Sequence, residues 1–286
     1  MSRCRAESAP FAPEGDRRCT RCAQTTGTIR APAASMPNIR SIQAKSILNR
    51  SKIFDYCVNP YTGCQIGCHY CYARLFMGRY SGHTEPWGTF VDAKINAADL
   101  LRRQTERGRI GRIWLSSVCD PYQPLEARLA LTRSCLEVLV QRRFPVTIQT
   151  KSDLVKRDLD LIRRLEAVEV GVTVTTEDER TAKLFEPGAS PIAHRLSALE
   201  AVHAAGVTTY AFVGPLLPGD PERLADRLDG RVDRVIIDRL NYPHTAKRFY
   251  RRHGLEWALT PAFFSEQRDR LMLRLQQKQI ACEALF

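Results

Sequence analysis

Three cysteines that lie close together, Cys64, Cys68 and Cys71, are spaced C-x3-C-x2-C. Gly63 and Gly67 lie in the same segment, and glycine lets the backbone turn tightly, so the thiolates can surround one compact metal centre. A structural zinc site takes four ligands, and a cubane iron–sulfur cluster usually takes four cysteines. Three cysteines leave one iron of a [4Fe–4S] cluster open to a small chelating ligand, as radical chemistry with S-adenosylmethionine requires. The spacing predicts such a cluster.

Two other metal sites remain open from the residues alone. Cys57 or His69 would complete a tetrahedral zinc site with these cysteines, although zinc sites typically use two separated pairs and no second pair follows downstream. Cys57 lies on a predicted strand, and we expect it in the core. Cys19 and Cys22 form a separate C-x2-C, which is a second candidate metal site.

The segment NPYTGCQIGCHYCY, residues 59–72, resembles the cysteine signature of the radical SAM superfamily. It is most similar to the spore photoproduct lyase-like branch, whose members are often called DNA repair photolyases. The resemblance runs from about residue 38 to about residue 240. It implies a [4Fe–4S] cluster on the three cysteines, S-adenosylmethionine at the open iron, and Tyr72 beside the adenine of that cofactor.

A second polar stretch, SVCDPYQP, begins at Ser117 and follows a predicted strand. Asp120 at the strand's end can accept hydrogen bonds from a ligand's ribose or ammonium group, or it can form an Asp-Pro turn. The lyase-like branch has a similar stretch, which implies that Ser117 and Asp120 bind the cofactor. Thiols donate hydrogen atoms readily, so Cys119 is a candidate catalytic residue; a passive, partly buried thiol is the alternative.

Polar residues also follow the next two predicted strands. Lys151 can pair with the carboxylate of S-adenosylmethionine, or it is a solvated lysine. Thr173 and Thr175 alternate along a strand and so face the same side of the sheet. Hydroxyls at this position contact the cofactor in the related lyases. Glu186 and Arg195 also match the branch and form either an ion pair that holds a loop or a ligand contact.

The elements that position these residues alternate between strands and helices. Candidate strands cover 56–60, 112–119, 145–150, 169–176, 208–217 and 234–240. Candidate helices with an apolar stripe cover 130–142, 157–167 and 191–205, the last opening at Ser190 as a cap followed by Pro191. Such alternation predicts a parallel sheet, either an open partial barrel or a doubly wound sheet, with functional groups at the carboxyl ends of its strands. With the resemblance, we expect an α/β fold, a partial (β/α)6 TIM-like barrel of the radical SAM type.

The chain is predicted to have three parts. Residues 1–35 are rich in Ala, Pro, Arg and Ser without a hydrophobic period, which is typical of a disordered tail, or Met36 is the true start. Residues 36–245 form the radical SAM core barrel. Residues 246–286 form a basic helical extension packed on that core.

Charge and composition suggest partners. The formal net charge of +12 suits a polyanion such as nucleic acid, or it is a solvated basic surface. The run KRFYRRH at 247–253 and the basic amphipathic segment 264–280 leave the same two options. No apolar stretch is long enough to cross a membrane, and no secretory signal is recognisable, so we expect a cytoplasmic protein without a membrane partner.

The cysteine spacing together with the resemblance implies a lyase-like radical SAM enzyme that cleaves S-adenosylmethionine reductively. The 5′-deoxyadenosyl radical would abstract hydrogen from a nucleic acid lesion, as in DNA repair. An electron donor such as flavodoxin or ferredoxin is implied. The alternatives are a peptide or small-molecule substrate, or a non-catalytic, zinc-stabilised nucleic-acid-binding protein.

Overall fold

The computed structural model describes residues 37–286, without the side chains of residues 78–80. The predicted tail, residues 1–35, with its Cys19 and Cys22, lies outside the described residues. None of the described helices is both long enough and apolar enough to span a membrane.

Within residues 37–286 the main sheet has eight strands; numbered along the chain, their spatial order is β11, β10, β9, β8, β7, β6, β3 and β2. All neighbours are parallel except β2, which pairs antiparallel with β3. The six predicted strands are all present, although most are shorter than expected. Their bounds, with those of the two added edge strands, are β2 Leu48–Arg50, β3 Tyr56–Val58, β6 Ile113–Leu115, β7 Val146–Thr150, β8 Val168–Thr173, β9 Thr208–Val213, β10 Arg234–Ile237 and β11 Ala281–Ala284.

Helices connect the parallel strands, as parallel pairing requires. They are α1 Ala73–Ser81, α2 Ala97–Arg107, α3 Glu126–Leu129, α4 Leu131–Val140, α5 Leu159–Ile162, α6 Glu179–Phe185, α7 Ile192–Ala204, α8 Pro221–Leu228, α9 Pro243–Arg252 and α10 Pro261–Gln277, with short 3₁₀ helices at Asp153–Asp158 and Glu256–Leu259. The strand–helix order confirms the predicted fold class.

The starts of two helices follow from local sequence. Asp220 accepts hydrogen bonds from the Glu222 and Arg223 amides, and Thr260 accepts one from the Phe263 amide. A proline follows each cap at the first helical position, where its missing N–H leaves no bond unmade.

The cap predicted for α7 is wrong. Pro191 occupies the N-cap position, and the Ser190 hydroxyl instead donates to Asp153 at 2.7 Å. Glu179 accepts from the Ile192 amide at 2.8 Å and supplies the missing acceptor. The predicted helix at 157–167 is only partly present, because residues 153–158 form the 3₁₀ turn and α5 ends at Ile162.

The two faces of the main sheet differ in chemistry, because successive side chains on a strand point to opposite faces. One face joins the helices in a continuous apolar core; its residues include Val58, Leu115, Ile148, Val170, Val172, Ala211, Val213, Val235 and Ile237, all fully buried. The other face forms the inner side of the barrel and carries half-buried residues; they include Cys57, Trp114, Gln149, Glu169, Phe212 and Arg234. Cys57, predicted to be a core residue, therefore lies on the inner face.

A glycine on the inner face makes room for an aromatic ring. A Cβ on Gly171 would lie 2.1 Å from the Tyr210 ring. The Tyr210 hydroxyl donates to Gln149 at 3.1 Å, and the Arg234 guanidinium lies 5.1 Å from the ring centroid. Arg234 also pairs with Glu169 at 3.1 Å. These residues fill part of the barrel's interior.

A second, three-stranded sheet supports the cysteine segment. It consists of β1 Asn38–Ile42, β5 Phe90–Lys94 and β4 Tyr61–Thr62, in that order. The sequence analysis did not predict it. β4 ends two residues before Cys64, so this sheet fixes where the cysteine segment begins.

The C-terminal segment contributes to both layers of the fold. α10 packs along α8, and β11 extends the main sheet by pairing parallel with β10. The predicted boundary after residue 245 falls inside α9, and the three-part division of the chain stays a prediction.

Candidate active site

The cysteine loop, residues 63–71, lies beyond the carboxyl end of β3 and turns on two glycines. Gly63 and Gly67 have φ of 87° and 65°, a region that favours glycine. A Cβ on Gly63 would lie 2.4 Å from the Phe90 carbonyl oxygen, so β5 closes against the loop. The Gly67 amide donates to the Cys64 carbonyl at 3.2 Å, and the Cys71 amide donates to the Cys68 carbonyl at 3.1 Å. The first turn brings Cys68 toward Cys64, and the second brings Cys71 toward Cys68.

The three cysteine thiols of the loop are free and shielded from solvent. Cys64 and Cys68 are buried, and Cys71 is half-buried. Burial raises the pKa of all three, so the uncharged thiol is favoured until a metal replaces the proton. Among residues 37–286, no three His, Cys, Asp or Glu side chains lie close enough to hold a single ion. A cubane instead takes each thiolate on a separate iron.

A buried carboxylate, Glu186, connects the cysteine loop to the end of β8 and to α7. It accepts hydrogen bonds from the Tyr70 hydroxyl, the Thr175 hydroxyl and the Arg195 guanidinium, and Glu186 and Arg195 are both almost fully buried. Burial would raise the pKa of Glu186, but Arg195 and Lys151 outweigh it and the pKa is lowered. The ion pair is the structural option that the sequence left open. Thr175, predicted to bind the cofactor, uses its hydroxyl in this network.

Lys151 lies at the carboxyl end of β7 beside the loop. Its Nζ is 5.7 Å from the centroid of the Tyr70 ring and makes no hydrogen bond to a described residue. Burial lowers the pKa of Lys151, but Coulombic attraction to Cys68 in its thiolate form, to Glu186 and to Asp120 outweighs burial and raises it. Lys151 therefore offers a charged, unpaired ammonium group within the site, which suits a carboxylate ligand.

Asp120 joins the ends of β6 and β7. Its carboxylate accepts from the Thr150 hydroxyl at 2.6 Å, the Lys151 amide at 2.7 Å and the Tyr122 amide at 2.8 Å. The bond from the Tyr122 amide is that of an Asp-Pro turn, whereas the other two fix the end of β7 at Thr150 and Lys151. A role for Asp120 in cofactor binding stays a prediction.

Two buried hydroxyls at strand ends have no partner among the described residues. Thr173, at the end of β8, is 1% exposed, and Ser116, just after β6, is 5% exposed. Because an unpaired buried hydroxyl is costly, such atoms suit a polar ligand held at this edge of the sheet. With Lys151 and the free thiols, they fit a cluster with S-adenosylmethionine. Thr173 was predicted from the sequence to bind the cofactor, whereas Ser116 was not among the predicted cofactor contacts.

Tyr72 lies at the mouth of the site with its ring partly exposed. Its hydroxyl donates to the Ser117 carbonyl, which ties the cysteine loop to the loop after β6. Its ring centroid is 6.5 Å from that of Tyr242 and 6.4 Å from that of Phe76, both exposed. The three rings form an aromatic rim. The Ser117 hydroxyl, by contrast, accepts from the Asn59 side chain at 3.3 Å.

Cys119 is held between the two loops. Its thiol donates to the Tyr61 carbonyl at 3.5 Å, and burial raises its pKa to about 11. At neutral pH it therefore carries its hydrogen, as a hydrogen-atom donor must. The catalytic role of Cys119 stays a prediction.

Sequence reasoning missed two residues that position these loops. Asn59 accepts from the Val118 amide at 3.1 Å, and the Lys94 ammonium donates to the Asn59 carbonyl at 2.9 Å. Asn59 thus bridges the ends of β3 and β6. An Asn-Pro pair directly after a strand is the signal that could have indicated it.

Comparison with known proteins identifies the class. The radical SAM superfamily profile matches residues 58–229. The chain belongs to the radical SAM superfamily.

Several individual proteins are similar to this chain. An uncharacterized protein of Methanocaldococcus jannaschii is 38% identical over 63% of this chain and 68% of its own length. One of Mycobacterium tuberculosis is 31% identical over 72% of this chain and 64% of its own length. The chain thus spans about two thirds of these relatives. A structure of spore photoproduct lyase complexed with dinucleoside spore photoproduct superposes with a TM-score of 0.65 at 18% identity, over 87% of this chain and 82% of that one. This likeness concerns the fold.

Proposed function

We propose that this protein is a radical SAM enzyme with a [4Fe–4S] cluster on Cys64, Cys68 and Cys71, and that its substrate is a modified or damaged nucleic acid. The proposal rests on the groups that lie together at one edge of the main sheet. There, three free thiols lie next to an unpaired ammonium and two unpaired buried hydroxyls. Thiolates, a cation and hydroxyls are the groups that a cluster and an amino-acid cofactor require.

The chemistry comes from the bound groups. Held by these residues, a [4Fe–4S] cluster and S-adenosylmethionine would supply reductive cleavage of the cofactor and hydrogen-atom abstraction from the substrate. The chain's own residues bind and position. Lys151 would hold the cofactor's carboxylate, Thr173 would meet a polar group of the cofactor, and Tyr72 would lie beside its adenine. Ser117, Asp120 and Thr175 are further candidate contacts, although their polar groups also bind protein.

The Glu186–Arg195 pair acts as positioning machinery. By binding Tyr70 and Thr175, Glu186 ties the cysteine loop to the end of β8. Breaking one partner of such a buried pair leaves an unpaired charge. We therefore expect the cysteine loop to keep its shape only while both residues are present.

The aromatic rim supports a nucleic acid substrate. Tyr72, Phe76 and Tyr242 present exposed rings at the mouth, and bases stack on such rings. A spore photoproduct lyase structure holds a dinucleoside spore photoproduct, and a Pseudomonas phage M6 relative, 23% identical, is named a radical SAM Nalpha-GlyT isomerase. A peptide is the second candidate substrate, because SuiB bound to its precursor peptide also superposes, with a TM-score of 0.52.

The first test is formation of 5′-deoxyadenosine. Protein reconstituted with iron and sulfide without oxygen is mixed with S-adenosylmethionine and dithionite, beside a Cys64/Cys68/Cys71→Ala variant. We expect product from the wild-type protein alone. A colourless protein that takes up zinc and no iron would contradict the proposal and favour a zinc-stabilised binding protein.

Cys119 provides a second prediction, concerning the fate of the radical. With ultraviolet-irradiated DNA as substrate, Cys119→Ala should lower repaired product at least tenfold while 5′-deoxyadenosine still forms, because only the final hydrogen donor is lost. Cys282→Ala, at a half-buried cysteine of β11, is the control. Unchanged repair by Cys119→Ala would show that Cys119 is a passive thiol.

A further inference from the structure

Cationic side chains from three different elements surround the cysteine loop. Arg74 of α1 donates to the His69 carbonyl at 3.3 Å. Lys183 of α6 donates to the Pro187 carbonyl at 2.7 Å, and Pro187 lies against Gly67. Arg252 belongs to α9, which packs on the loop. These cations lie far apart in sequence, so only the fold brings them together.

The connection between α9 and the loop is aromatic. The His69 ring stacks on Phe249 with centroids 4.0 Å apart and planes 18° apart, and Phe249 packs against Phe185. His69 follows Cys68 directly. At the C-cap of α9, the His253 ring also packs against Phe249, with centroids 4.6 Å apart. The C-terminal end of α9 thus contacts the residue that follows the candidate cluster ligand Cys68 in the sequence.

Most of the α9 cations have no acidic partner among the described residues. Arg251 pairs with Glu256 at 3.0 Å. Lys247, Arg248 and Arg252 are exposed and form no ion pair with any residue that the structure describes. Arg248 and Arg252 are four residues apart and share one face of the helix. Because these charges are not neutralised, they attract an anionic surface.

We propose that a patch formed by Arg74, Lys183, Arg248 and Arg252, here called the cationic patch, is the docking surface for an acidic electron carrier of the flavodoxin type. This inference rests on the proposed function, since only a redox cluster on the loop needs an electron. In the transfer, the reduced flavin is oxidised by one electron and the cluster is reduced by that electron; no covalent bond forms or breaks. Carboxylates of the carrier would pair with the patch.

The position of the patch favours a redox carrier over nucleic acid. The exposed rings that suit bases lie at Tyr242, where α9 begins, whereas Arg252 ends the helix, about 15 Å away for ten residues. The rings beside the patch, His69 and Phe249, are half-buried and stacked on each other, so bases find no free ring there. Electron-transfer encounters use small, charge-steered interfaces, which the patch provides.

The test compares two variants with the same change in net charge. Arg248→Gln/Arg252→Gln alters the patch, and Arg270→Gln/Arg274→Gln removes two arginines of α10 that are paired with α8. Binding of oxidised flavodoxin to the reconstituted protein is measured by calorimetry at low salt. In parallel, 5′-deoxyadenosine is measured with reduced flavodoxin and with dithionite. Circular dichroism checks that both variants fold.

We expect the patch variant to bind flavodoxin about tenfold more weakly and to lose flavodoxin-driven turnover in proportion, because charge steering is lost. The α10 variant should stay within twofold of wild type, and dithionite should drive all three proteins equally. Equal losses in both variants, unchanged flavodoxin binding by the patch variant, loss of single-stranded DNA binding in its place, or preference for ferredoxin would each overturn the proposal. Absence of product with dithionite in the wild-type protein would instead count against the proposed function.

Discussion

Helices α9 and α10 are both basic in sequence, yet the fold treats their charges in opposite ways. On α10, Arg268, Arg270 and Arg274 all have acidic partners, and two of these lie on α8. On α9, only Arg251 has one among the described residues. The acids that neutralise α10 lie about 48 residues earlier in the chain, at Glu222 and Asp226.

The difference shows what a basic run in a sequence can mean. A run whose charges are paired within the fold holds elements together, and each exposed pair contributes about 1 kcal/mol or less. A run left unpaired creates a field that acts on other molecules. The sequence shows the cations of both helices equally well. Only the packing of α8 against α10 shows which of these cations are neutralised within the fold.

The largest expected effect is on stability and concerns α10 alone. Leu271 of α10 is fully buried, so Leu271→Ala should lower the free energy of unfolding by about 2–5 kcal/mol. Flavodoxin binding by the folded variant should not change. Urea unfolding and calorimetry measure the two effects. A loss of binding in the folded variant would mean that α10, too, contributes to docking.

An effect of intermediate size is expected in the salt dependence of flavodoxin binding, which should distinguish the charges of α9 from those of α10. Raising ionic strength from about 0.05 M to about 0.3 M shortens the screening length, so flavodoxin binding by the wild-type protein should weaken about tenfold. The dependence should be shallower in Arg248→Gln/Arg252→Gln and unchanged in Arg270→Gln/Arg274→Gln. Calorimetric titrations at four salt concentrations give the slopes. Parallel slopes for all three proteins would remove the distinction between the helices.

The smallest effect is the acid dependence of the α8–α10 contact. Arg270 lowers the pKa of Glu222 below its ordinary value of 4.5. The pair therefore stabilises the fold above about pH 4.5, and that stability is lost as pH falls through the lower folded-state pKa. At pH 7, Glu222→Gln should lower the free energy of unfolding by about 1 kcal/mol or less. This difference between variant and wild type should disappear at about pH 3, and thermal melts at both pH values measure it. Arg270→Gln should behave alike; a gap that persists in acid would exclude the ion pair as its cause.

Much of the fold was predictable because the signals are local. Alternating strands and helices predicted the six central strands, and the cysteine spacing predicted the loop. The small sheet was missed, since β4 has two residues and β1 and β5 pair across about 50 positions of chain. β11 was missed because it lies in a segment that the pattern indicated as helical.

The candidate site was predictable in position more than in detail. Strand ends located Lys151 and Thr173, and the structure brings both to the edge where the thiols lie. Whether Glu186 binds Arg195 or a ligand depends on where each side chain is buried, which no spacing reveals. Ser116 and Asn59 were missed for the same reason: their importance comes from the partners they lack or contact in space.

The contact between Gly171 and Tyr210 has a consequence for how this barrel can change during evolution. The Tyr210 ring occupies the volume that any side chain at position 171 would need. Opening the interior at this level therefore takes one mutation, at Tyr210, whereas adding a side chain on the neighbouring strand takes two in a fixed order, Tyr210 first. Because both residues lie on the inner face, these changes act on the interior of the barrel rather than on the packing between the sheet and its helices. One steric contact thus sets the order in which mutations can reshape this part of the barrel.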